Sequence, residues 1–201
     1  MSLAVREHTA SPKVPIAKIK FKLDACIYQK VGEKYERIEN RYVPRHTVHD
    51  VVEIVDDSIF ILSTGEIVQS FSNNPATLIF GKLLIHKDGE DVFSRNGLLQ
   101  RKVSKGQSFN VYAIHETPIH KTVRYQINQK EWILSGEGVE FLKGYFKPLE
   151  KLTVVHKGTP ILLNPNKSYA YHQVNGTKIL LNGFDDLWID INVYKGSLES
   201  V

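Results

Sequence analysis

The sequence predicts an all-β protein built from tandem small barrels, and three observations support this prediction. Short apolar runs rich in β-branched and aromatic residues alternate with turn signals along most of the chain. A Lys-Gly pair followed by a Trp-Ile pair occurs twice, as Lys105-Gly106 with Trp132-Ile133 and as Lys157-Gly158 with Trp188-Ile189. No segment shows the apolar period and the caps of a long helix. A repeat of about 50 residues with these features is typical of small β-barrels.

The N-terminal third is expected to contain an arm and a first barrel. Residues 1–16 have few apolar residues and no apolar period, which is typical of an extended arm. From residue 17 the apolar residues alternate with lysines, as in Ile19-Lys20-Phe21, and this predicts a strand with one buried face. Short runs continue to the turn at Asn74-Pro75, which we interpret as a linker. We therefore expect a divergent barrel over residues 17–74.

Turn dipeptides divide the remaining chain into two further units. Asp88-Gly89 and Asn96-Gly97 adopt positive φ at low cost, so each is expected to close a short hairpin in the second unit. Asn175-Gly176 has the same role in the third unit. We expect these two barrels to span residues 78–147 and residues 150–198.

The composition argues against several classes of protein, nucleic-acid binders among them, and excludes some structural features. The net charge is +4 and acidic residues are interleaved with basic ones, whereas nucleic-acid binders usually concentrate their basic residues. Cys26 is the only cysteine, which excludes an intramolecular disulfide and a multi-cysteine zinc site. No apolar run reaches the length of a membrane span, and the N-terminus lacks the pattern of a secretion signal. We expect a chain that is cytoplasmic before assembly and then reaches a virion, or the extracellular cell surface by a non-classical route.

The order of turn, strand, long hairpin and Trp-Ile resembles the bacterial SH3-like (SH3b-type) repeats of cell-wall-binding modules and of phage tail and lysin proteins. Residues 80–143 match best, with Lys105-Gly106 as the turn before the central strand and Trp132-Ile133 on the closing strand. Residues 17–72 match less well, because Glu66-Ile67 stands in place of Trp-Ile and no Lys-Gly precedes the central strand. The resemblance implies small barrels that bind cell-wall peptide or glycan, or that build phage particles.

The aromatic residues of the two repeats are the candidate ligand-binding side chains. Rings that line an open cleft stack on sugar rings or grip a peptide. The candidates are Trp132, Trp188, Tyr112, Tyr125, Tyr169 and Tyr171. The alternative is that each tryptophan is the main packing residue of its own barrel, because a barrel of about 50 residues has few other large side chains.

No group of residues predicts catalysis or a metal site. The segment His46–Asp50 contains two histidines, but positions i and i+3 of a strand face opposite sides, so these imidazoles converge only in a turn. The segment His115–His120 has two histidines and a glutamate in a hairpin loop, without a nucleophile. No phosphate-binding Gly-rich loop or hydrolase motif occurs. We expect a protein that is not an enzyme and that uses neither a cofactor nor a metal.

These observations favour a non-catalytic binding or assembly protein, most directly a structural component of a phage particle such as its tail, baseplate or connector. The alternative is a bacterial cell-wall-binding or adhesion module that recognises peptidoglycan or wall glycan. A small-barrel nucleic-acid-binding protein is the second alternative. We expect protein partners or self-association, and no membrane. The N-terminal arm is expected to assemble by strand addition, with a neighbour covering Val5, Val14 and Ile16.

Overall fold

The computed structural model describes residues 13–116 and 122–201. More than half of these residues lie in β-strands, and none of them lies in an α-helix. Every strand pair in this part of the chain is antiparallel. The predicted all-β class is confirmed.

The first unit contains seven strands: β1 (Ala17–Phe21), β2 (Ala25–Val31), β3 (Lys34–Val43), β4 (Val48–Ile54), β5 (Ile59–Leu62), β6 (Ile67–Gln69) and β7 (Ala76–Ile79). They form one sheet in the order β3-β2-β6-β5-β4-β1-β7. Ala17, Ile19 and Phe21 of β1 are buried, because a strand directs alternate side chains to the same face. The alternation expected from the lysines between them is therefore observed.

The second unit contains eight strands: β8 (Gly81–Ile85), β9 (Glu90–Ser94), β10 (Leu99–Val103), β11 (Ser108–Val111), β12 (Ala113–Glu116), β13 (Val123–Gln126), β14 (Glu131–Leu134) and β15 (Val139–Leu142). They form a five-stranded sheet, β10-β9-β14-β13-β12, and a three-stranded sheet, β11-β8-β15. Only Tyr112 separates β11 from β12, so one continuous segment passes from one sheet into the other.

The third unit contains seven strands: β16 (Gly144–Pro148), β17 (Leu152–His156), β18 (Thr159–Leu163), β19 (Tyr169–Asn175), β20 (Lys178–Leu181), β21 (Trp188–Asp190) and β22 (Gly196–Ser200). They form a five-stranded sheet, β21-β20-β19-β16-β22, and a two-stranded sheet, β17-β18. Each of the three units has its own cluster of buried apolar side chains.

The three units share one pattern of strand pairing, with β11 and β12 counted as one strand. In each unit the first strand pairs with the fourth and the last, the second with the third, and the fourth, fifth and sixth pair in succession. The register is also shared. The residue before the first strand donates its backbone N–H to a buried residue of the fourth strand, at 2.8, 2.7 and 2.8 Å in Ile16–Val51, Phe80–Val111 and Lys143–Tyr171. The chain is therefore a triplicated structure.

Trp132 and Trp188 occupy the same position of this repeated structure. The backbone hydrogen bond that closes the hairpin before the sixth strand recurs as Leu62–Glu66, Ile127–Glu131 and Leu181–Leu187. The next residue is Trp132 in the second unit, Trp188 in the third and Ile67 in the first. The Trp-Ile part of the sequence repeat therefore reflects structural equivalence, and the first unit has isoleucine at the tryptophan position.

The two Lys-Gly pairs are not equivalent in the structure, so the prediction that both belong to one structural repeat is wrong. Gly106 (φ 85°) lies in the turn before the fourth strand, where His46 (φ 63°) lies in the first unit. Their backbone N–H groups donate to Ile85 and Phe21 at the ends of the first strands. Lys157-Gly158 instead forms the two-residue hairpin turn between β17 and β18, with φ of 50° and 80°. Both turns require positive φ, and the dipeptide alone does not distinguish them.

Two side-chain contacts recur between the first and second units. Arg41 pairs with Glu66 at 2.8 Å, and Arg101 pairs with Glu131 at 2.8 Å, in each case from the third strand to the residue before the tryptophan position. Asp24 accepts the backbone N–H of Arg45 at 2.7 Å, and Asp88 accepts that of Lys105 at 2.9 Å. These contacts extend the equivalence of the two units beyond their backbones.

The units follow one another without linkers, which changes the four expected boundaries at residues 74, 78, 147 and 150. Only Phe80 separates β7 from β8, and only Lys143 separates β15 from β16. Because β7 pairs with β1, the first unit extends beyond residue 74, and because β16 pairs with β19 and β22, the third unit begins before residue 147. Asn74 is part of the first unit rather than a linker, since its buried side chain accepts the Leu23 N–H at 2.8 Å.

The three units meet at one junction. Lys143 donates from Nζ to the Ile16 carbonyl at 3.0 Å, and Lys18 donates from Nζ to the Ser200 carbonyl at 2.9 Å. The Ser200 hydroxyl donates to the Asp50 carboxylate. The C-terminal strand of the third unit therefore returns to the first unit. Asn182 of the third unit donates from Nδ2 to Glu140 of the second at 2.7 Å, and Phe80 packs against the cores of the first and second units. Each unit therefore contacts the other two.

Candidate functional site

Trp132 lies on the outer face of the second unit. Its neighbour Ile133 belongs to the core of that unit, so the strand directs the indole to the opposite side. The His115 ring meets the indole edge-on at a centroid distance of 5.0 Å, and the Arg124 guanidinium lies 5.6 Å from the indole centroid. Trp132 is only 6% exposed. The indole is therefore packed, and it does not form the wall of an open cleft.

Two donors in this cluster lack a partner among the described residues. Trp132 Nε1 and Arg124 Nε are both buried and neither donates a hydrogen bond. A desolvated donor of this kind costs about 1–3 kcal/mol. The cluster therefore gains its stability from ring contacts and from the cation above the indole.

Trp188 is more accessible than Trp132. It lies half-buried on β21, which pairs only with β20 among the described strands, opposite Leu180. Its neighbours Leu187 and Ile189 belong to the core of the third unit. The equivalent tryptophan positions therefore differ in environment, because β14 has a strand on each side and β21 has only one.

Tyr125 and Tyr171 are core residues, so their assignment as ligand-binding residues is wrong. Tyr125 is 9% exposed and stacks on Phe141 at a centroid distance of 5.0 Å, and burial raises the pKa of its phenol. Tyr171 is fully buried, and burial together with the nearby Asp50 carboxylate raises the pKa of its phenol. With so little exposed surface, neither ring can form an open platform for a ligand.

Tyr112 lines a cleft of about 500 Å³ between the first and second units. Thr77 of β7 and the side chains of Gln126 and Gln129 lie around it, and none of the described residues that line it is charged. Hydroxyls, amides and an aromatic ring are the groups that recognise neutral polar ligands. In the described part of the chain, Tyr112 is the one of the six predicted aromatic residues that lines a cleft of ligand size.

The six aromatic residues are not brought together into one site. Tyr169 is half-buried, packs against the core of the third unit, and accepts the backbone N–H of Asn164 at its phenol oxygen at 2.7 Å. Trp132 and Tyr112 lie in the second unit, and Trp188 lies in the third. The predicted set therefore separates into two core residues, one cleft residue and three residues in unconnected environments.

The histidine segments form no metal site in the described part of the chain. His46 lies in the turn before β4, whereas His49 lies within β4 and contacts the Thr47 hydroxyl at 2.7 Å. No group of three or more histidine, cysteine or carboxylate residues close enough to hold a metal occurs among the described residues. His120 lies outside the described residues.

The described part of the predicted arm packs within its own chain. Val14 is 1% exposed and lies in the core of the third unit, and Ile16 packs against the core of the first unit. For Val14 and Ile16 the chain itself therefore supplies the burial that was expected from a neighbour, and residues 13–16 are not part of an extended arm. Val5 lies outside the described residues.

One surface of the third unit, formed by β17 and β18, was not predicted from the sequence. In the first two units the second strand also pairs with the sixth, as in Tyr28–Ile67 and Phe93–Trp132. In the third unit β17 has β18 as its one partner among the described strands. We call this two-stranded element the β17–β18 ribbon (residues 152–163). Its outward-facing residues, Thr153, Val155, Pro160 and Leu162, are all exposed.

Side chains at one end of the ribbon connect it to the loop before β21. His156 pairs with Asp186, and Lys157 donates from Nζ to Asp185 at 3.1 Å. The edge of the His156 ring also contacts the Phe184 ring. In the third unit, therefore, side-chain contacts take the place of the backbone pairing between the second and sixth strands that the other two units have.

Comparisons of this chain with protein-family models, with curated proteins and with solved structures find no match. In residues 13–116 and 122–201, no helix has the length and apolar character needed to cross a membrane.

Proposed function

We propose that this protein is a non-catalytic assembly protein that serves as a structural component of a particle, in keeping with its resemblance to the SH3-like repeats of phage tail proteins. The observation that carries the proposal is the joining of three like units without linkers around one junction. Such a body holds its surfaces in fixed relative positions, which suits a building block. A chain of independent binding modules usually has flexible linkers between them.

The exposed surface supports protein contacts. Large apolar side chains are exposed at several places, among them Leu98 and Leu99 (66% and 56% exposed) in the second unit and Val155 (70%) in the third. Adjacent exposed apolar residues on strands mark interaction surfaces, because isolated proteins usually protect such strands.

The proposal is tested by measuring the mass of the purified full chain over a roughly hundredfold range of concentration, by sedimentation equilibrium. A mass that rises to a defined multiple of 22.9 kDa supports an assembly protein. A monomer at every concentration that also sediments with isolated bacterial cell walls would overturn the proposal.

The second candidate function is cell-wall binding, and the cleft around Tyr112 favours it. The cleft has the size of a small-ligand site and is lined by neutral hydrogen-bonding groups. If this function is correct, the protein sediments with cell walls, and Tyr112→Ala and Gln126→Ala each release it. Tyr35→Ala, in β3 of the first unit, is the control that leaves sedimentation unchanged.

A further inference from the structure

The boundary between the second and third units contains a small hydrogen-bonded network. The side-chain amide of Asn182 donates from Nδ2 to Glu140 Oε1 at 2.7 Å, and the same nitrogen lies 3.4 Å from the Phe141 carbonyl oxygen. On the other side of this amide, Asn182 Oδ1 lies 2.8 Å from His172 Nδ1. One amide group therefore bridges the last strand of the second unit and the fourth strand of the third.

The boundary between the first and second units has a cleft at the equivalent place. In the shared register Thr77 corresponds to Glu140, because each lies opposite the fourth residue of its unit's first strand. Tyr112 corresponds to His172, because each follows the buried residue of its unit's fourth strand. Thr77 and Tyr112 both line the cleft of about 500 Å³. The cleft therefore occupies the position that the network occupies at the other boundary.

The side-chain amide equivalent to that of Asn182 is bound within its own loop. Asn128 corresponds to Asn182, because each is the first loop residue of the hairpin that precedes the sixth strand. Asn128 Oδ1 accepts the backbone N–H groups of Lys130 and Glu131, each at 2.9 Å, and Nδ2 donates to the Glu131 carboxylate. The bridging network of the other boundary therefore does not form here.

We propose that this cleft binds the acetamido group of an N-acetylated sugar, which supplies the bridging amide that Asn182 supplies at the other boundary. The acetamido N–H donates to the Thr77 hydroxyl, and the acetamido carbonyl accepts from the Tyr112 hydroxyl. This inference rests on the cell-wall-binding candidate and deepens it, because it names the class of wall component that the cleft recognises.

The lining of the cleft favours a neutral sugar over an anion or a peptide. None of the described lining residues is charged, so an anionic ligand would lose its water without gaining a counter-ion. Gln126 and Gln129 each offer both a donor and an acceptor, as neighbouring sugar hydroxyls require. The Tyr112 ring offers an aromatic face for packing against the sugar ring. A peptide carries the same amide but lacks the ring hydroxyls for the two glutamines.

The test is calorimetric titration of the full chain with three neutral probes. Tri-N-acetylchitotriose carries acetamido groups on sugar rings, cellotriose has the same rings and linkage without acetamido groups, and N-acetylalanine methylamide has peptide amides without a sugar ring. We expect tri-N-acetylchitotriose to bind at least tenfold more tightly than either of the other two probes.

Variants then locate the site. Thr77→Glu combined with Tyr112→His gives the cleft the two side chains of the other boundary, and we expect it to weaken binding at least tenfold. The matched control, Thr153→Glu combined with Tyr42→His, makes the same substitutions at exposed strand positions outside the cleft and leaves binding unchanged. Gln129→Ala changes an exposed loop residue and is expected to weaken binding at least threefold. Urea unfolding verifies that each variant folds.

Each outcome separates this inference from the cell-wall-binding candidate. Equal affinity for cellotriose would show that the acetamido group is not recognised, and equal affinity for N-acetylalanine methylamide would make the ligand a peptide. Unchanged binding of tri-N-acetylchitotriose in Gln129→Ala and in the double cleft variant would place the site elsewhere. If the protein sediments with cell walls but does not bind tri-N-acetylchitotriose, the inference is wrong while cell-wall binding stands. If it does neither, both are wrong.

Discussion

Gly144 lies directly opposite Tyr171 in the ladder between β16 and β19, and a Cβ at Gly144 would lie 2.6 Å from the Tyr171 phenol oxygen. The equivalent pairs are Ala17–Val51 and Gly81–Val111. In the first unit valine leaves room for an alanine, whereas in the third unit the large tyrosine requires glycine opposite. In the second unit Gly81 faces a valine, and the Leu142 carbonyl and the Phe141 ring occupy the space of a Cβ instead. The need for glycine on the first strand therefore depends on the packing around each position and not on the fourth strand alone.

We expect Gly144→Ala to lower the free energy of unfolding by about 1–3 kcal/mol, because the added methyl group overpacks the site. It would meet the Tyr171 ring and also the Glu199 carbonyl at 2.4 Å. Urea unfolding followed by circular dichroism measures the change. The control is Gly136→Ala, since a Cβ at Gly136 meets nothing within 4 Å. Equal stability of the two variants would show that the packing around Tyr171 can relax.

We expect Tyr171→Phe to raise the free energy of unfolding by about 1 kcal/mol, because the Tyr171 hydroxyl is buried and no described residue forms a hydrogen bond with it. The matched variant is Tyr169→Phe, which removes a hydroxyl that accepts the Asn164 N–H, and we expect it to lower the free energy of unfolding by about 0.5–1.5 kcal/mol. Opposite signs in urea unfolding support this assignment. A loss of stability in Tyr171→Phe would contradict it and would indicate a partner for that hydroxyl.

We expect the cost of burying Lys143 to fall as the pH rises. Burial lowers the pKa of Lys143 below 10.5 in the folded protein, so the unfolded chain binds more protons between that lowered pKa and 10.5. Stability from this group therefore increases with pH across that window. Between about pH 7 and pH 10 the free energy of unfolding of the wild type should therefore rise relative to that of Lys143→Met. Both proteins contain the same tyrosines, so the contribution of tyrosine titration cancels when their free energies of unfolding are subtracted at each pH.

The control for this experiment is Lys147→Met, an exposed lysine of the same strand. If the difference between Lys143→Met and wild type is the same at both pH values, Lys143 is not desolvated in the folded protein. A difference that moves in favour of the variant would reverse the sign of the proposed effect and contradict the burial of its ammonium group.

We expect Trp132→Ala to lower the free energy of unfolding by about 3–5 kcal/mol, and Trp188→Ala to lower it by less. Trp132 is 6% exposed between His115 and Arg124, whereas Trp188 is half-buried on an outer strand. Urea unfolding of the two variants provides the comparison. An equal or larger loss for Trp188→Ala would mean that the edge strand is held mainly by this indole.

The fold class and the tryptophan equivalence could be predicted because both follow from the alternation of strands. A Trp-Ile pair at the same place in two strands directs isoleucine inward and tryptophan outward, and both pairs do so. The boundaries could not be predicted, because Phe80 and Lys143 each join two strands of different units without any turn signal. A continuous strand in the sequence does not show where its pairing partner changes.

The turn of the first unit was missed because its residues are not those expected for positive φ. His46 adopts a φ of 63°, a conformation for which glycine is the usual residue, so Arg45-His46 did not match Lys105-Gly106. The candidate site was also only partly predictable. The sequence pattern around a tyrosine does not show whether its ring lies in a core or at a cleft. Only the packing distinguishes the buried Tyr171 from Tyr112 at the cleft.

The triplication of the chain allows an asymmetry that a trimer of identical subunits does not permit. Ile16, Phe80 and Lys143 are equivalent residues at one junction, and only one of them is charged. A homotrimer of the third unit alone would place three ammonium groups at its centre, where they would repel one another. By joining three copies in one polypeptide, the protein can change each copy separately, so that a single lysine lies at the junction and donates to the Ile16 carbonyl.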